Sequence, residues 1–349
     1  MAGISSALLK RVAASVLIAI GLKDEDATAV ADSILYANRI GIHSHGIGRL
    51  PLYARMIELG LMQPDSPMNV PIDRPNYALI DAGDGMGQIA ALKALELGIP
   101  KAMEHGISVI GIKNSNNFGA SGYFGQRAAE RGMIALILAN AAPAIAPTGG
   151  TKPLFGTNPL CAAFPGDSNE CPPIVIDMAL TTAARGKIRL AAKLGQRIPF
   201  GWACDENGQP TDDPVKALSG SLLPIGDYKG YLLSMMIDML AGMITGSAFA
   251  GEVRTLSDEE GPSRSGHLFV FIHPHNFISA VEYQQRVNTL VSAIKASGEE
   301  GAIHIPGAKY AQALSDNDDW IDLPEKQMQE IDDLAETLGI ELHLRSKEQ

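Results

Sequence analysis

From Tyr77 onward the chain alternates short apolar runs with stretches of helical periodicity, and no other feature constrains its fold as tightly. The runs are Tyr77-Ala-Leu-Ile-Asp81, Ser108-Val-Ile-Gly-Ile112, and residues 133–140, 160–164, 174–177 and 267–272. Each has the length of a strand rather than a helix. Strands that alternate with helices specify an α/β architecture, layered on a sheet. Before about Pro71 the pattern differs. Leu9, Val12, Val16 and Ile20 recur at helical spacing, and further helices are predicted over 27–38 and 50–61. After Phe277 the chain is helical again, and the polar stretch 316–349 is predicted to fold back on the N-terminal lobe. Residues 231–244 are apolar nearly all round, yet Asp238 and the short length predict a buried core helix rather than a membrane span, with its methionines as packing.

A chain of 349 residues, 46% hydrophobic and 19% charged, buries a sizeable core and is expected to divide it between two lobes. The formal net charge of −11 leaves no basic surplus to displace counterions from a nucleic acid. Cys161, Cys171 and Cys204 stand far apart with no C-x-x-C pair, which fits a reducing, cytoplasmic location. Lys10 and Arg11 before an apolar stretch imitate a signal peptide, but the run ends in Lys23-Asp24-Glu25-Asp26 without a small-residue cleavage site.

Gly83-Asp-Gly85-Met-Gly87 imitates a dinucleotide-binding loop but carries Gln88 where the fingerprint needs glycine, so it is read as a tight turn. The pairs His43-x-His45 and His273-x-His275 have no third ligand, and no metal is expected. Ser44-His45-Gly46-Ile47-Gly48-Arg49 is different. It gathers an imidazole that titrates near neutrality, a hydroxyl and a guanidinium fork suited to a carboxylate. Reduction of a 2-oxo acid needs those groups: a cation on the carboxylate and a proton for the nascent alkoxide. Gly156-Thr-Asn-Pro159 reads as a rigid turn carrying a hydroxyl, and Gly226-Asp-Tyr-Lys229-Gly230 as a turn at a helix N-terminus that could meet a pyrophosphate.

Taken in order along the chain, these motifs resemble the malate/L-lactate dehydrogenases that lack a Rossmann fold, a family that includes ureidoglycolate and L-sulfolactate dehydrogenases and piperideine-2-carboxylate reductases. The resemblance rests on Gly41-Ile-His-Ser-His-Gly46 with Arg49 and Tyr53, Asn114-Ser-Asn-Asn-Phe-Gly-Ala120, Pro147-Thr-Gly-Gly150, Gly156-Thr-Asn-Pro159, Ile176-Asp-Met-Ala179, Arg185-Gly-Lys187, Lys229-Gly-Tyr231, Gly266-His-Leu-Phe269 and Pro306-Gly307. It implies an α/β fold of the non-Rossmann kind, with a central mixed sheet and a discontinuous helical lobe. Residues 1–75 with 295–349 would form the substrate and dimerisation lobe, and 76–294 the domain that binds NAD, or alternatively NADP. It implies a homodimer acting on a small carboxylate, with no nucleic acid or membrane partner.

Carried over by position, His45 is the expected proton donor with Ser44 beside it, and Arg49, Thr157 and Asn117 are expected to contact substrate. Phe118, Gly119, Ala120 and Ser121 are expected to line the cofactor, as are Asp177, Met178 and Ala179. Lys229, Gly230, Pro306, Gly307 and Ala308 complete that set. The sequence departs from the family twice. Asn117 replaces a histidine that looks like the general base in the ureidoglycolate branch, and a neutral amide takes no proton. Lys187 stands where the imine reductases have an aspartate, which favours hydroxy-acid chemistry. The alternatives are a cyclic-imine reductase and a catalytically silent nicotinamide-binding relative.

Overall fold

A computed structural model describes residues 2–166, 171–299, 301–315 and 320–345. The chain opens with β1 (Ala2–Ser5), α1 (Ser6–Ala19), α2 (Asp24–Arg39) and α3 (Leu50–Glu58). In α1, Leu9, Val12 and Val16 fall on one stripe and are wholly buried, as their spacing dictates. α2 starts on Asp24, Glu25 and Asp26, whose charges offset its unpaired N–H groups and dipole.

The central sheet gathers β2 (Asn69–Asp73), β3 (Tyr77–Asp81), β4 (Ile107–Ser115), β5 (Ile134–Ala139), β6 (Leu160–Phe164) and β7 (Ile174–Met178). Three two-residue strands, β8 (Ala203–Cys204), β9 (Pro210–Thr211) and β10 (Ser221–Leu222), form a small sheet of their own, and β11 (Ser265–Ile272) returns to the large one. The seven strands lie in the order β2-β3-β4-β11-β5-β6-β7. β3 and β4 are parallel and every other neighbouring pair is antiparallel. A parallel pair needs a crossover, which α4 (Gly87–His105) supplies.

Strand alternation sends Phe269 and Phe271 of β11 to one face of the sheet and Leu268 and Val270 to the other. The first face is covered by α4 and α5 (Ser121–Glu130), which approach through alanines such as Ala90, Ala94 and Ala128. The second packs on α8 (Tyr228–Ile237) and the π-helical turn Asp238–Met243 that continues it. Between these elements α6 (Arg185–Leu194) and α7 (Pro214–Ser219) share a small core with β8 and β10, through Ile188, Ala203, Ala217 and Leu222. α9 (Ala280–Lys295) and α10 (Ala308–Ser315) follow β11.

A second large core joins both ends of the chain. β12 (Trp320–Leu323) pairs with β1, and Met328 and Ile331 of α11 (Glu325–Thr337) pack with Leu9, Ile34, Leu50 and Tyr53. Met86 and Leu256 reach into this core from the sheet side. The fold-back predicted for the tail is thus seen over 320–345; residues 316–319 and 346–349 lie outside the described residues.

The helix at 231–244 corrects the sequence expectation. It buries Ser234, Ile237, Asp238 and Ala241, while Leu232, Met236, Met239 and Met243 are exposed on this chain. Apolarity all round did not mean burial within one chain. On its buried side the packing is tight, because a Cβ added to Gly266 of β11 would fall on the carbonyl oxygen of Ala241. Gly266→Ala is therefore expected to destabilise the protein by about 2 kcal/mol or more, read by urea unfolding, as overpacking against backbone does. A wild-type midpoint would show that the π turn yields freely.

Candidate active site

Between α2 and α3 the chain makes two single 3-10 turns, His43–His45 and Ile47–Arg49. The buried side chain of Asn38 shapes them. Its Oδ1 accepts the Ile47 N–H at 2.8 Å, and its amide nitrogen meets His43 Nδ1 at 3.3 Å. A Cβ on Gly46 would land on that amide, so only glycine lets the chain pass so close. In the resulting turn Ser44 Oγ lies 3.0 Å from His45 Nδ1, and Arg49 Nε donates to the Ser44 carbonyl at 2.6 Å. His45 is half-buried. Desolvation, with the Arg49 charge adding to it, pulls its pKa down to about 4. The imidazole of the free chain is thus held in its neutral form at pH 7.

Arg49 and Tyr53 are four residues apart and share a face at the start of α3. Tyr53 is wholly buried, and its phenol oxygen accepts from Gln88 Nε2 at 2.7 Å. Gln88 sits in the first turn of α4, just after the glycine-rich turn 83–87. That turn is a structural joint. Gly83 and Asp84 have φ of 53° and 57°, and the Asn116 amide donates to the carbonyls of Asp84 and Gly85, both at 2.9 Å. A Cβ on Gly87 would fall on the Asn116 carbonyl. The start of α4 is thereby clamped to the strap that joins β4 to α5.

Within that strap, Asn117 Oδ1 accepts the Gly119 N–H at 3.0 Å, with Gly119 at φ 84°. The carbonyl end of the side chain is thus engaged and its NH2 end remains to donate. Phe118 turns inward against Phe124 and His267, so only its backbone can face a ligand. His267 is buried, with Nε2 3.2 Å from the Asn116 carbonyl oxygen, and burial pulls its pKa to about 3. Ser121 Oγ and the Gly122 N–H donate to the two oxygens of Asp177, at 2.6 and 2.7 Å. The N-terminus of α5 is therefore capped by the protein's own carboxylate.

The other predicted residues lie along β7, with 306–308 beside its start and the rest beyond its C-terminal end. Pro306 O accepts from Val175 N, and Gly307, at φ 90°, leaves no room for a Cβ beside Pro173 O. Ala308 begins α10 directly beyond. Leu180 N donates to Thr157 O at 2.8 Å, and Leu180 O accepts from Ile225 N at 3.0 Å. This places the 156–159 turn and the turn before α8 on either side of the exposed Met178 and Ala179. Gly230 is required because a Cβ there would fall on Ile225 O, whereas Lys229 is exposed. Lys187 lies over the Trp202 indole, 6.0 Å from its centre.

A nicotinamide dinucleotide fits this end of β7. Thr181 Oγ1 and Arg185 Nε are buried without a hydrogen-bond partner among the described residues, and burial lowers the Arg185 pKa, with Arg189 adding to it. An anionic phosphate is the kind of acceptor each lacks, and Met178 and Ala179, just before Thr181 in the chain, are exposed. Among the described residues, no group of three His, Cys, Asp or Glu comes together to hold a metal ion, and no helix is long and apolar enough to cross a membrane. Sequence reasoning missed Asn38, Gln88, Thr181 and Arg185 as parts of the site. Arg185 stood in a motif and Gln88 stood only as a mismatch to a dinucleotide fingerprint, while no spacing signal marks Asn38 or Thr181.

Residues 4–332 match the family model described as malate/L-lactate dehydrogenase. The chain belongs to that family. A malate/(S)-sulfolactate dehydrogenase of Methanothermus fervidus is 37% identical over 328 residues, 94% of this chain and 95% of that protein. An NAD(+)-dependent ureidoglycolate dehydrogenase of Escherichia coli O157:H7 is 37% identical over 277 residues, 79% of this chain and 78% of the relative. The solved sulfolactate dehydrogenase from Methanocaldococcus jannaschii superimposes with a TM-score of 0.90 at 34% identity, covering 98% of each chain. This member of the family is thus an NAD(P)-dependent oxidoreductase of hydroxy acids, and its sheet and helical cores are those of that fold.

The strap makes its stability pH-dependent. His267 has a folded-state pKa near 3, below the roughly 6.5 of an unfolded histidine, so folding favours the neutral ring. Its contribution is complete above pH 6.5 and is lost as pH falls toward 3. In urea unfolding at pH 7.5 and 4.5, His267→Gln should lose less stability on acidification than the wild type does. An equal loss in both proteins would remove His267 from the acid response.

Proposed function

We propose that this enzyme interconverts a small 2-oxo acid and its 2-hydroxy acid, of the malate, lactate, sulfolactate or ureidoglycolate type, with NAD as cofactor and NADP as the alternative. The observation that carries this reading is the neutral His45 held within one turn of the Arg49 guanidinium. Arg49 grips the carboxylate, assisted by Thr157. Ser44 fixes the ring through Nδ1, which directs Nε2 to the substrate hydroxyl. Asn117, its oxygen engaged by Gly119, donates its NH2 to the reacting oxygen. As Asn117 carries no titrating group, His45 moves the proton alone. Bound at residues 118–121, 177–179, 229–230 and 306–308, the dinucleotide supplies or accepts the hydride at its nicotinamide. Substrate thus sits between the lobe of residues 1–75 and 295–349 and the cofactor domain of 76–294.

A homodimer is supported by the stripe of Tyr228, Leu232, Met236, Met239 and Met243, which follows helical spacing and is exposed on a single chain. A contiguous apolar patch of that kind is characteristic of an interface. The buried thiols Cys161, Cys171 and Cys204 support a reducing, cytoplasmic location.

His45→Gln should lower turnover about 100-fold, the usual scale for a positioned acid or base. Full activity in that variant would end the role. In the free enzyme His45 is neutral above about pH 4, so kcat/KM for hydroxy-acid oxidation should not change with His45 ionisation between pH 5 and 8. For oxo-acid reduction, kcat/KM should instead fall as pH rises, by roughly tenfold per unit while a single proton is required. Asn117→His is expected to add a second titration to these profiles; profiles identical to wild type would place residue 117 outside the proton path. Leu232→Glu with Met239→Glu should convert a dimer to a monomer in light scattering, and a persistent dimer would reject the α8 interface.

A further inference from the structure

Gln88 is chemically unusual among the side chains around the site, for it is 1% exposed and satisfied on one side only. Its Nε2 donates to Tyr53 at 2.7 Å, while its Oε1 has no partner among the described residues. A tyrosine hydroxyl accepts hydrogen bonds but has a single hydrogen to give. With Gln88 occupying an acceptor position, that hydrogen must point elsewhere, and the structure records no acceptor for it among the described residues. Tyr53 is wholly buried, so an unmet donor there is costly. It stands four residues after Arg49 on one helical face, and the Arg49 charge is felt at the phenol. An anion held by Arg49 is the acceptor the phenol lacks.

We propose that Gln88 is a positioning residue for substrate: its amide turns the Tyr53 hydroxyl hydrogen toward the carboxylate gripped by Arg49. The inference rests on the 2-oxo acid reading above. Two further contacts make Gln88 suited to the task. The preceding Gly87 lies so close to the Asn116 carbonyl that α4 cannot shift without moving the strap. Gln88 Nε2 is also the nearest atom, 3.8 Å away, to a Cβ built on Gly119. The amide therefore lies between α3, which grips the acid, and the segment that carries Asn117, and couples their positions.

Gln88→Glu tests this at a pH high enough to ionise the new carboxyl, whose pKa burial raises, because an ionised carboxylate only accepts and would draw the Tyr53 hydrogen to itself. The KM for the 2-oxo acid should rise about tenfold or more, the scale of one hydrogen bond to a charged group, with kcat within about threefold of wild type. The Kd of NADH, read by fluorescence, should not move. Tyr53→Phe should give the same KM rise, and the double variant no further rise, since both remove one interaction. Gln88→Met, of similar volume and without a donor, should raise KM in the same direction and serves where the glutamate variant fails to fold. The proposal is overturned by a wild-type KM in the folded variants, by multiplicative effects in the double variant, or by an NADH Kd that shifts along with KM. Wild-type turnover on a panel of 2-oxo acids separates the two levels. Turnover with unaffected variants removes the Gln88 role alone. A wild type that neither turns over a 2-oxo acid nor binds oxamate in the presence of NADH removes both.

Discussion

The clamp between Asn116 and the turn before α4 is the contact on which the site depends. One buried amide satisfies two carbonyls of the Gly83–Gly87 turn, and the absence of a side chain at Gly87 lets the backbones touch. The cost of leaving buried carbonyls unmet keeps the two segments together. Tyr53 of α3, beside the proposed substrate grip, reaches Gln88 at one end of this joint, and the β4–α5 strap extends from the other through Asn117 and Ser121 to Asp177. Removing the joint would leave two intact cores with no fixed relation between Arg49 and the end of β7.

The cap on α5 explains why this α/β protein does not bind its cofactor as a doubly wound sheet does. In the Rossmann arrangement a helix N-terminus following a glycine-rich turn receives the pyrophosphate. Here the glycine-rich turn opens α4 but is pressed against the strap, and the N-terminus of α5 is filled by Asp177. Both positions where that chemistry would be sought are occupied by the protein itself. The cationic and hydroxyl groups without a partner among the described residues lie instead at Arg185 and Thr181, beyond the edge strand β7. A mixed sheet with a single parallel pair has no row of parallel strand ends to build the usual crevice, so a separate solution is required.

Much of this organisation was legible because it is local. The strands at Tyr77–Asp81 and Leu160–Phe164 follow from apolar runs of strand length, and α1 from its stripe. The strand order was not, since antiparallel insertion of β11 between β4 and β5 depends on contacts 128 to 165 residues apart that leave no periodic trace. Nor was β1, whose four residues gain a partner only from β12 at the other end of the chain. The same division holds in the site. His45 and Arg49 announce themselves by chemistry and proximity, whereas Asn38 and Gln88 are ordinary amides whose importance is fixed by the atoms the fold brings to them.

The low pKa of His45 follows from that same placement. Burial disfavours the charged ring, and the guanidinium one turn away adds to the effect. Under the proposed roles, a carboxylate that neutralises Arg49 would lift the Arg49 part of this penalty and move the imidazole toward the protonated form. The group proposed to anchor the acid would thereby also control when the proton is held. An oxo acid lacking its carboxylate would forfeit both effects, and discrimination against neutral ketones then arises from proton affinity as well as from binding. Arg49 can perform this double task only while it stays within one turn of His45, a spacing set by the Asn38 amide and the missing side chain of Gly46.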